Sequence, residues 1–111
     1  YPNDPDLYYN VGVLYQRMAA ELYDANIEEF NNLSKNIKPE RLKDVYLSYK
    51  KAREYAYNSR DYFLQASDLE EEENTSSIGA AKEMKSLMKK IDEIFIPSIR
   101  KTAKTAGVEL N

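Results

Sequence analysis

An all-helical fold is predicted by three features of this 111-residue sequence. Apolar residues recur at spacings of three and four over most of its length, the period of a helix with one buried face. Only 3 Gly and 4 Pro are present, which leaves little material for turns. A hydrophobic fraction of 42%, with 10 Tyr and no Trp, suits helices that pack through aromatic side chains. These features predict one all-α domain over residues 1–111.

The first helix is predicted to span residues 5–35. Asp4 can cap its start, and Pro5 fits the first turn because the missing N–H costs nothing there. The polar stretch 34–36 is expected to end it. Its expected buried face consists of Leu7, Val11, Leu14, Met18 and Leu22, widened by Tyr8, Tyr15 and Ala19.

Three further helices are predicted, over residues 39–68, 75–96 and 98–106. The buried stripe of the second is expected to be Leu42, Val45, Tyr49, Ala52, Ala56, Phe63 and Ala66. That of the third is expected to be Ile78, Ala81, Met84, Leu87 or Met88, Ile91 and Phe95. Pro97 disfavours helical geometry at Ile96, so a kink or interruption is predicted there. The last helix should stop before Gly107.

Charge is divided unevenly along the chain, whose net charge is −3. Residues 1–34 are acidic and residues 35–60 are basic. In an antiparallel pair, the acidic distal half of the first helix would lie beside the basic start of the second. This internal partner accounts for the Lys and Arg residues, so no nucleic acid or membrane is expected as a partner. No apolar run approaches the roughly 20 residues of a membrane span.

The sequence predicts no catalytic, cofactor or metal site. It contains no Cys and no His, which removes thiolate metal sites and the commonest general base. Ser and Thr hydroxyls occur without a base to activate them. The carboxylates of residues 70–73 are consecutive and lack the spacing of a calcium loop. We therefore expect a protein that is not an enzyme. The sequence does not indicate its cellular compartment.

Two distant segments resemble the two halves of one tetratricopeptide repeat. Tyr8-x2-Val11-Gly12-x2-Tyr15 is similar to the signature of that repeat's first helix, and Ser59-x3-Phe63-x2-Ala66 to that of its second. The resemblance implies that these seven residues pack together, with Gly12 allowing close approach near Phe63. Pro2 occupies the slot that closes a preceding repeat, so the chain is expected to be a piece of a longer protein.

The spacing of the two signatures departs from the family. Gly12 and Ala66 are 54 positions apart in the sequence, against about 19 in a standard repeat of period 34. The excess predicts an antiparallel hairpin of two long helices, each about 45 Å, that projects from a repeat stack. The third helix would then begin a degenerate repeat, which makes the chain a fragment of an α-solenoid.

The resemblance implies a scaffold that binds a peptide or partner protein in a helix-lined groove. The slots that face the groove in this family correspond to Tyr9, Val13, Gln16, Arg17, Ile78, Lys82 and Lys85. The family's clamp for a peptide carboxylate needs Lys at the slot of Tyr9 and Asn at that of Val13, and both are missing. A groove of mixed aromatic, aliphatic and cationic residues could still hold an extended acidic or apolar peptide, but the sequence names no ligand.

Two alternatives remain open on the sequence. The chain could be a structural cap or self-association module at the end of an array, for example a homodimer through Leu7, Tyr8, Tyr15 and Leu22. It could instead be a free-standing helical bundle unrelated to repeats. Evenly spaced helices without a protruding hairpin would favour the bundle.

Overall fold

The computed structural model describes residues 4–33, 37–70 and 75–110. The helices are α1 (Pro5–Ala25), α2 (Ile27–Asn31), α3 (Pro39–Leu69), α4 (Thr75–Lys90), a π-helical segment (Ile91–Phe95) and α5 (Ile96–Ala106). No strand occurs in these ranges, which confirms the all-α prediction. Three features of the sequence prediction lie outside the described residues: the turn at 34–36, most of the break at 70–74 and the position of Pro2.

The helices form three antiparallel rods, which we name by their order in the chain. The first rod is α1 with α2, the second is α3, and the third is α4, the π-helical segment and α5. The second rod lies between the other two and packs against both. At 31 residues, α3 is about 46 Å long, which accounts for most of the 53 Å length of the molecule.

The buried face of α1 agrees with the predicted one in part: Ala19 is buried as predicted, and Val11, Met18 and Leu22 are half-buried. Gly12 and Ala19 are buried against α3, whereas Leu7 and Leu14 are 47% and 57% exposed. The Gly12 carbonyl accepts a hydrogen bond of 2.7 Å from the Ser59 hydroxyl of α3. Because the small residues allow this close approach, α1 turns its Gly12–Ala19 ridge inward, and Leu7 and Leu14 face solvent.

The first rod is interrupted at Asn26, within the single helix predicted for residues 5–35. The Asn26 side-chain amide donates to the Leu22 carbonyl at 2.8 Å, and its backbone N–H donates to the Asp24 carbonyl. The Tyr23 carbonyl accepts from the Tyr49 hydroxyl at 3.1 Å. The carbonyls that a helix end leaves without partners are thus satisfied here by Asn26 and by α3.

The third rod continues through Pro97, where a break was predicted. The Ile96 N–H bonds to the carbonyl of Ile91, five residues earlier, so the turn before the proline is a π-turn. The wider turn accommodates a proline that has no N–H to donate, and the Ser98 hydroxyl donates to the Ile94 carbonyl at 2.7 Å. The rod ends at Gly107, whose φ of 71° is left-handed.

The hairpin of the first two rods therefore does not project. Ile99 and Ala103 of α5 lie in one buried cluster with Leu33 and Leu42, at the far end of the hairpin. The third rod packs against α3 at both ends of the molecule, so no hairpin protrudes, which is the feature expected of the free-standing alternative.

Most of the predicted core of α3 and α4 is confirmed. All seven residues of the α3 stripe are buried, and so are Ala81, Met84, Met88, Ile91 and Phe95 of the third rod. Ser77 is buried in place of Ile78, and its buried hydroxyl is satisfied by donating to the Glu70 carboxylate at 2.8 Å. The predicted charge pairing between the first two rods appears as the ion pair of Arg41 with Glu29.

Candidate functional site

A groove with an apolar floor runs between α3 and α4. Leu64, Ile78 and Ala81 form the floor, and Arg60, Lys82 and Lys85 stand around it. The groove contains a cavity of about 240 Å³ and is open to solvent. We call these six residues the α3–α4 groove.

Helical spacing places these side chains on facing sides of the two helices. On α3, Arg60 and Leu64 are four residues apart and lie one turn above each other. On α4, Ile78, Lys82 and Lys85 follow one another at spacings of four and three. No residue of α1 lines the groove, because α1 meets α3 through Ser59 on the other side of that helix.

The cations of the groove are weakly paired. The nearest Arg60 nitrogen is 3.4 Å from a carboxylate oxygen of Asp61, and its guanidinium lies 5.0 Å from the centre of the Tyr57 ring. The Nε atom of Arg60 is shielded from solvent and has no hydrogen-bond partner among the described residues. Lys82 and Lys85 are exposed, and no described carboxylate forms an ion pair with either.

Of the seven residues predicted to line one groove, three line the α3–α4 groove and four do not. Ile78, Lys82 and Lys85 do line the α3–α4 groove. Tyr9 and Val13 instead pack against the buried cluster that contains Phe63, and the rings of Tyr9 and Phe63 are 5.3 Å apart. Gln16 is half-buried and Arg17 is exposed, and neither lines the groove.

Three groove residues, Arg60, Leu64 and Ala81, are not among those predicted from the sequence. Ala81 is expected in the core, where it is indeed buried. Arg60 and Leu64 lie beside the buried α3 stripe at a spacing of four, which indicates a second face on that helix. The spacing of apolar residues in the sequence does not show that α4 covers only part of this second face of α3.

The residues of the two repeat signatures meet at the crossing of α1 and α3. Gly12, Ser59, Phe63 and Ala66 are buried. Next to them, the Tyr15 ring stacks on Tyr62 at 5.7 Å and contacts Tyr55 at 6.1 Å, while Tyr8 lies 6.3 Å from Tyr62. Val11, the remaining signature residue, is half-buried.

This crossing presents a second surface, which we call the tyrosine–leucine face. The half-buried tyrosine rings lie beside the two exposed leucines of α1. The face consists of Leu7, Tyr8, Leu14, Tyr15, Tyr55 and Tyr62.

A further cavity of about 280 Å³ lies at the far end of the bundle, between α5 and the tail that follows Gly107. The Val108 N–H donates to the Ala103 carbonyl at 2.9 Å and folds the tail back on the helix. Arg100 and Lys104 border this cavity. One helix and its own tail form this cavity, whereas two helices form the α3–α4 groove.

Among the described residues, one ionisable group in the core has a strongly raised pKa. Burial, and secondarily the neighbouring Tyr23 and Asp24, raises the pKa of the Tyr49 hydroxyl well above its ordinary value. This hydroxyl donates to the Tyr23 carbonyl and is remote from the groove. Within the described ranges, no three Asp or Glu side chains converge on a possible metal position. None of the helices there has the length and apolar character needed to cross a membrane.

Comparison with protein-family models, curated proteins and solved structures finds no match to this chain. Function is therefore inferred from the geometry of the α3–α4 groove and the tyrosine–leucine face.

Proposed function

We propose that this chain is a non-enzymatic protein-interaction module of a larger helical protein, and that it holds a segment of a partner in the α3–α4 groove. The observation that carries the proposal is the open apolar floor formed by Leu64 and Ile78 between two rigid helices. Covering such a floor with one apolar anchor contributes about 1.5–3 kcal/mol. The surrounding cations can orient a partner without chemistry of their own.

The crossing of α1 and α3 supports a relation to tetratricopeptide helix pairs. A residue larger than Gly at position 12 would overlap the Phe63 ring, and Ser59 bonds to the Gly12 carbonyl. The full-length third rod is a feature of a three-helix bundle. We therefore propose a lengthened repeat-like pair that is completed by a third helix, with the partner bound outside the pair.

Selection of peptides from a displayed library against the folded chain tests this function. The matched variants are Ile78→Asp, in the groove, and Ile94→Asp, at a 50% exposed position of the same rod. We expect selected peptides to bind Ile78→Asp at least about tenfold more weakly, a loss of about 1.4 kcal/mol. Binding to Ile94→Asp should be unchanged, and circular dichroism checks that both variants fold.

Two results would contradict the groove as the binding site. One is a selection that yields no binder. The other is a set of binders that Ile78→Asp leaves unaffected, with chemical-shift changes that avoid Leu64 and Ala81.

Self-association through the tyrosine–leucine face is a second candidate function. It is favoured by Leu7 and Leu14, which are exposed beside four tyrosine rings on the side of the hairpin away from Arg60 and Leu64. Clustered apolar surface of this kind usually finds a partner. A two-fold dimer would cover both copies of the face, and in an array the neighbouring repeat would do so.

Sedimentation velocity over a concentration series tests the second candidate. We expect the wild-type chain to associate and the Leu7→Glu, Leu14→Glu variant to be monomeric. Leu47→Glu changes a similarly exposed leucine outside this face and is the control. A wild-type chain that stays monomeric at the highest concentration would rule out the homodimer.

A further inference from the structure

We infer that the segment held in the α3–α4 groove is an acidic amphipathic helix, with apolar anchors four residues apart and carboxylates on both sides of them. This inference rests on the proposed function and adds the chemistry of the partner. The inference is based on three observations: the positive charge of the groove, the weak ion pairing of its cations, and the alignment of its apolar floor with the helix axes.

The groove is cationic in an acidic chain. Three of its six residues are Arg60, Lys82 and Lys85, and none of the six is a carboxylate, although the whole chain has a net charge of −3. Charge complementarity sets which partner is accepted more than it sets affinity, because a like-charged segment is repelled at several points. A basic segment is thus excluded and an acidic one is favoured.

The cations are available to a partner. No described carboxylate pairs with Lys82 or Lys85, and the Nε donor of Arg60 is unsatisfied. The guanidinium of Arg60 can also donate charge-assisted hydrogen bonds to a partner carboxylate, which are stronger than bonds between neutral groups. The long stems of the lysines can also cover an apolar anchor while their ammonium groups reach its flanking acids.

The floor of the groove follows the helix axes. From Ile78 to Lys85 is about 10 Å along α4, or two turns, and Arg60 to Leu64 is one turn of α3. A helix laid between two antiparallel helices places side chains at i and i+4 into such a channel. The partner would occupy the position of a fourth helix in a bundle.

The apolar floor also distinguishes this groove from a surface that binds phosphate groups. Contacts with nucleic-acid backbones come mainly from polar and cationic groups, whereas Leu64, Ile78 and Ala81 would face a charged strand here without a partner. We therefore assign the groove to a protein segment.

The test uses three synthetic helical peptides that share two leucines at i and i+4 and differ only in the flanking residues, which are Glu, Gln or Lys. Binding to the full chain is followed by fluorescence anisotropy at low and high salt. We expect the Glu peptide to bind at least about tenfold more tightly than the Gln peptide. The difference should shrink at high salt, because exposed charges are screened, and the Lys peptide should not bind.

Charge reversal in the groove provides the second arm. Lys82→Glu, Lys85→Glu should weaken the Glu peptide by about tenfold or more and admit the Lys peptide. The matched control is Lys43→Glu, Lys101→Glu, which makes the same change in net charge at two exposed lysines outside the groove. The control should bind all three peptides as the wild type does.

The outcomes separate this inference from the function on which it rests. If the Glu and Gln peptides bind equally and Ile78→Asp abolishes both, the groove binds proteins and the acidic partner is wrong. If neither the peptides nor the displayed library binds, the proposed function fails as well. A third outcome is that single-stranded DNA or phosphatidylserine vesicles bind through Lys82 and Lys85 while the Glu peptide does not. In that case the groove binds phosphate groups, and the inference is overturned.

Discussion

Gly12 sets the distance between α1 and α3. A Cβ atom at this position would lie 2.7 Å from the Cδ1 and Cε1 atoms of Phe63, closer than side chains tolerate. Phe63 is fully buried and cannot turn aside without displacing its neighbours. The glycine therefore serves packing, since its helical backbone needs no left-handed conformation.

The substitution Gly12→Leu is expected to destabilise the fold by about 1–3 kcal/mol through overpacking against Phe63. Gly79→Leu is the matched control, because nothing lies within 4 Å of a Cβ there. The control should be neutral or stabilising by up to about 1 kcal/mol, since Gly is a poor helix former. Urea unfolding measures both, and equal effects would mean that the α1–α3 contact is looser than described.

Tyr49 connects the end of α1 to α3 through its hydroxyl, which donates to the Tyr23 carbonyl at 3.1 Å. Burial raises the pKa of this hydroxyl. The unfolded chain releases the Tyr49 proton near pH 10, whereas the folded chain retains it. The contribution of this group is thus fully present below about pH 10, and it is lost as the pH rises above that value.

The variant Tyr49→Phe is expected to lose about 0.5–1.5 kcal/mol of unfolding free energy at neutral pH, with the hydrogen bond. Above about pH 10 its stability should fall less steeply than that of the wild type, because one proton fewer is released on unfolding. Urea unfolding across the alkaline range measures both effects. Tyr57→Phe, at an exposed ring, should leave the free energy at neutral pH unchanged, and parallel alkaline slopes for Tyr49→Phe and wild type would contradict the account.

At the scale of the element, the π-turn corrects the register of the third rod. Ile91, Phe95, Ile99 and Ala103 are buried and are each four residues apart. In a regular α-helix, each such step would rotate the side chain by about 40°, and three steps by about 120°. The π-turn takes up one extra residue and keeps all four facing α3.

The contacts of the Phe95 ring show the effect of this change in helical register. Its centroid lies 4.2 Å from Phe30 of α2, 4.8 Å from Tyr49 of α3 and 5.0 Å from Tyr23 of α1. One side chain of the π-helical segment thus joins the other two rods. Rotation of the segment by a third of a turn would remove it from the cluster.

Deleting the exposed Ile94 together with the change Pro97→Ala should be tolerated. The buried residues would then be spaced by three, four and four, as in a regular α-helix, and no proline would require a wide turn. We expect a midpoint of thermal unfolding within several degrees of the wild type. Deletion of the exposed Glu54 in α3 is the control, because it rotates one half of the buried stripe against the other and should abolish cooperative unfolding.

At the scale of the whole molecule, α3 depends on a different neighbour at each end. At the end of the molecule where α1 begins, Phe63 and Ala56 of α3 share a cluster with Ala81, Met84 and Met88 of α4. At the far end, Leu42, Val45 and Tyr46 share a cluster with Ile99 and Ala103 of α5. Arg100 also donates to the Tyr46 hydroxyl at 2.8 Å. The third rod thus covers the far end of the hairpin, and we expect it to stabilise that end.

Truncation after Phe95 should loosen one end of the molecule selectively. Amide protection of residues 42–52 should fall, because α5 no longer covers them, while protection of residues 56–66 persists. Hydrogen exchange followed by NMR measures both segments. If the two segments kept equal protection, the long hairpin would be stable by itself, as the projecting-hairpin hypothesis requires.

Local patterns in the amino-acid sequence determine several features by themselves. The α3 stripe is predicted correctly at all seven positions, because its residues recur at helical spacing along one face of a long helix. The contact of Gly12 with Phe63 follows from the repeat signatures and is confirmed. Of the candidate site, Ile78, Lys82 and Lys85 are named together by the resemblance to the repeat family, and all three line the α3–α4 groove.

Features that involve two or more helices are decided by the tertiary structure. In α1, two apolar faces compete, one with Leu7 and Leu14 and the other with Gly12 and Ala19, and the closer approach to α3 selects the second. The interruption at Asn26 depends on a hydroxyl from α3 to cap the helix end. The α3–α4 groove exists only because α4 leaves Leu64 uncovered. Periodicity records the conformation of a single segment, whereas burial, helix ends and grooves depend on the shape of its neighbours.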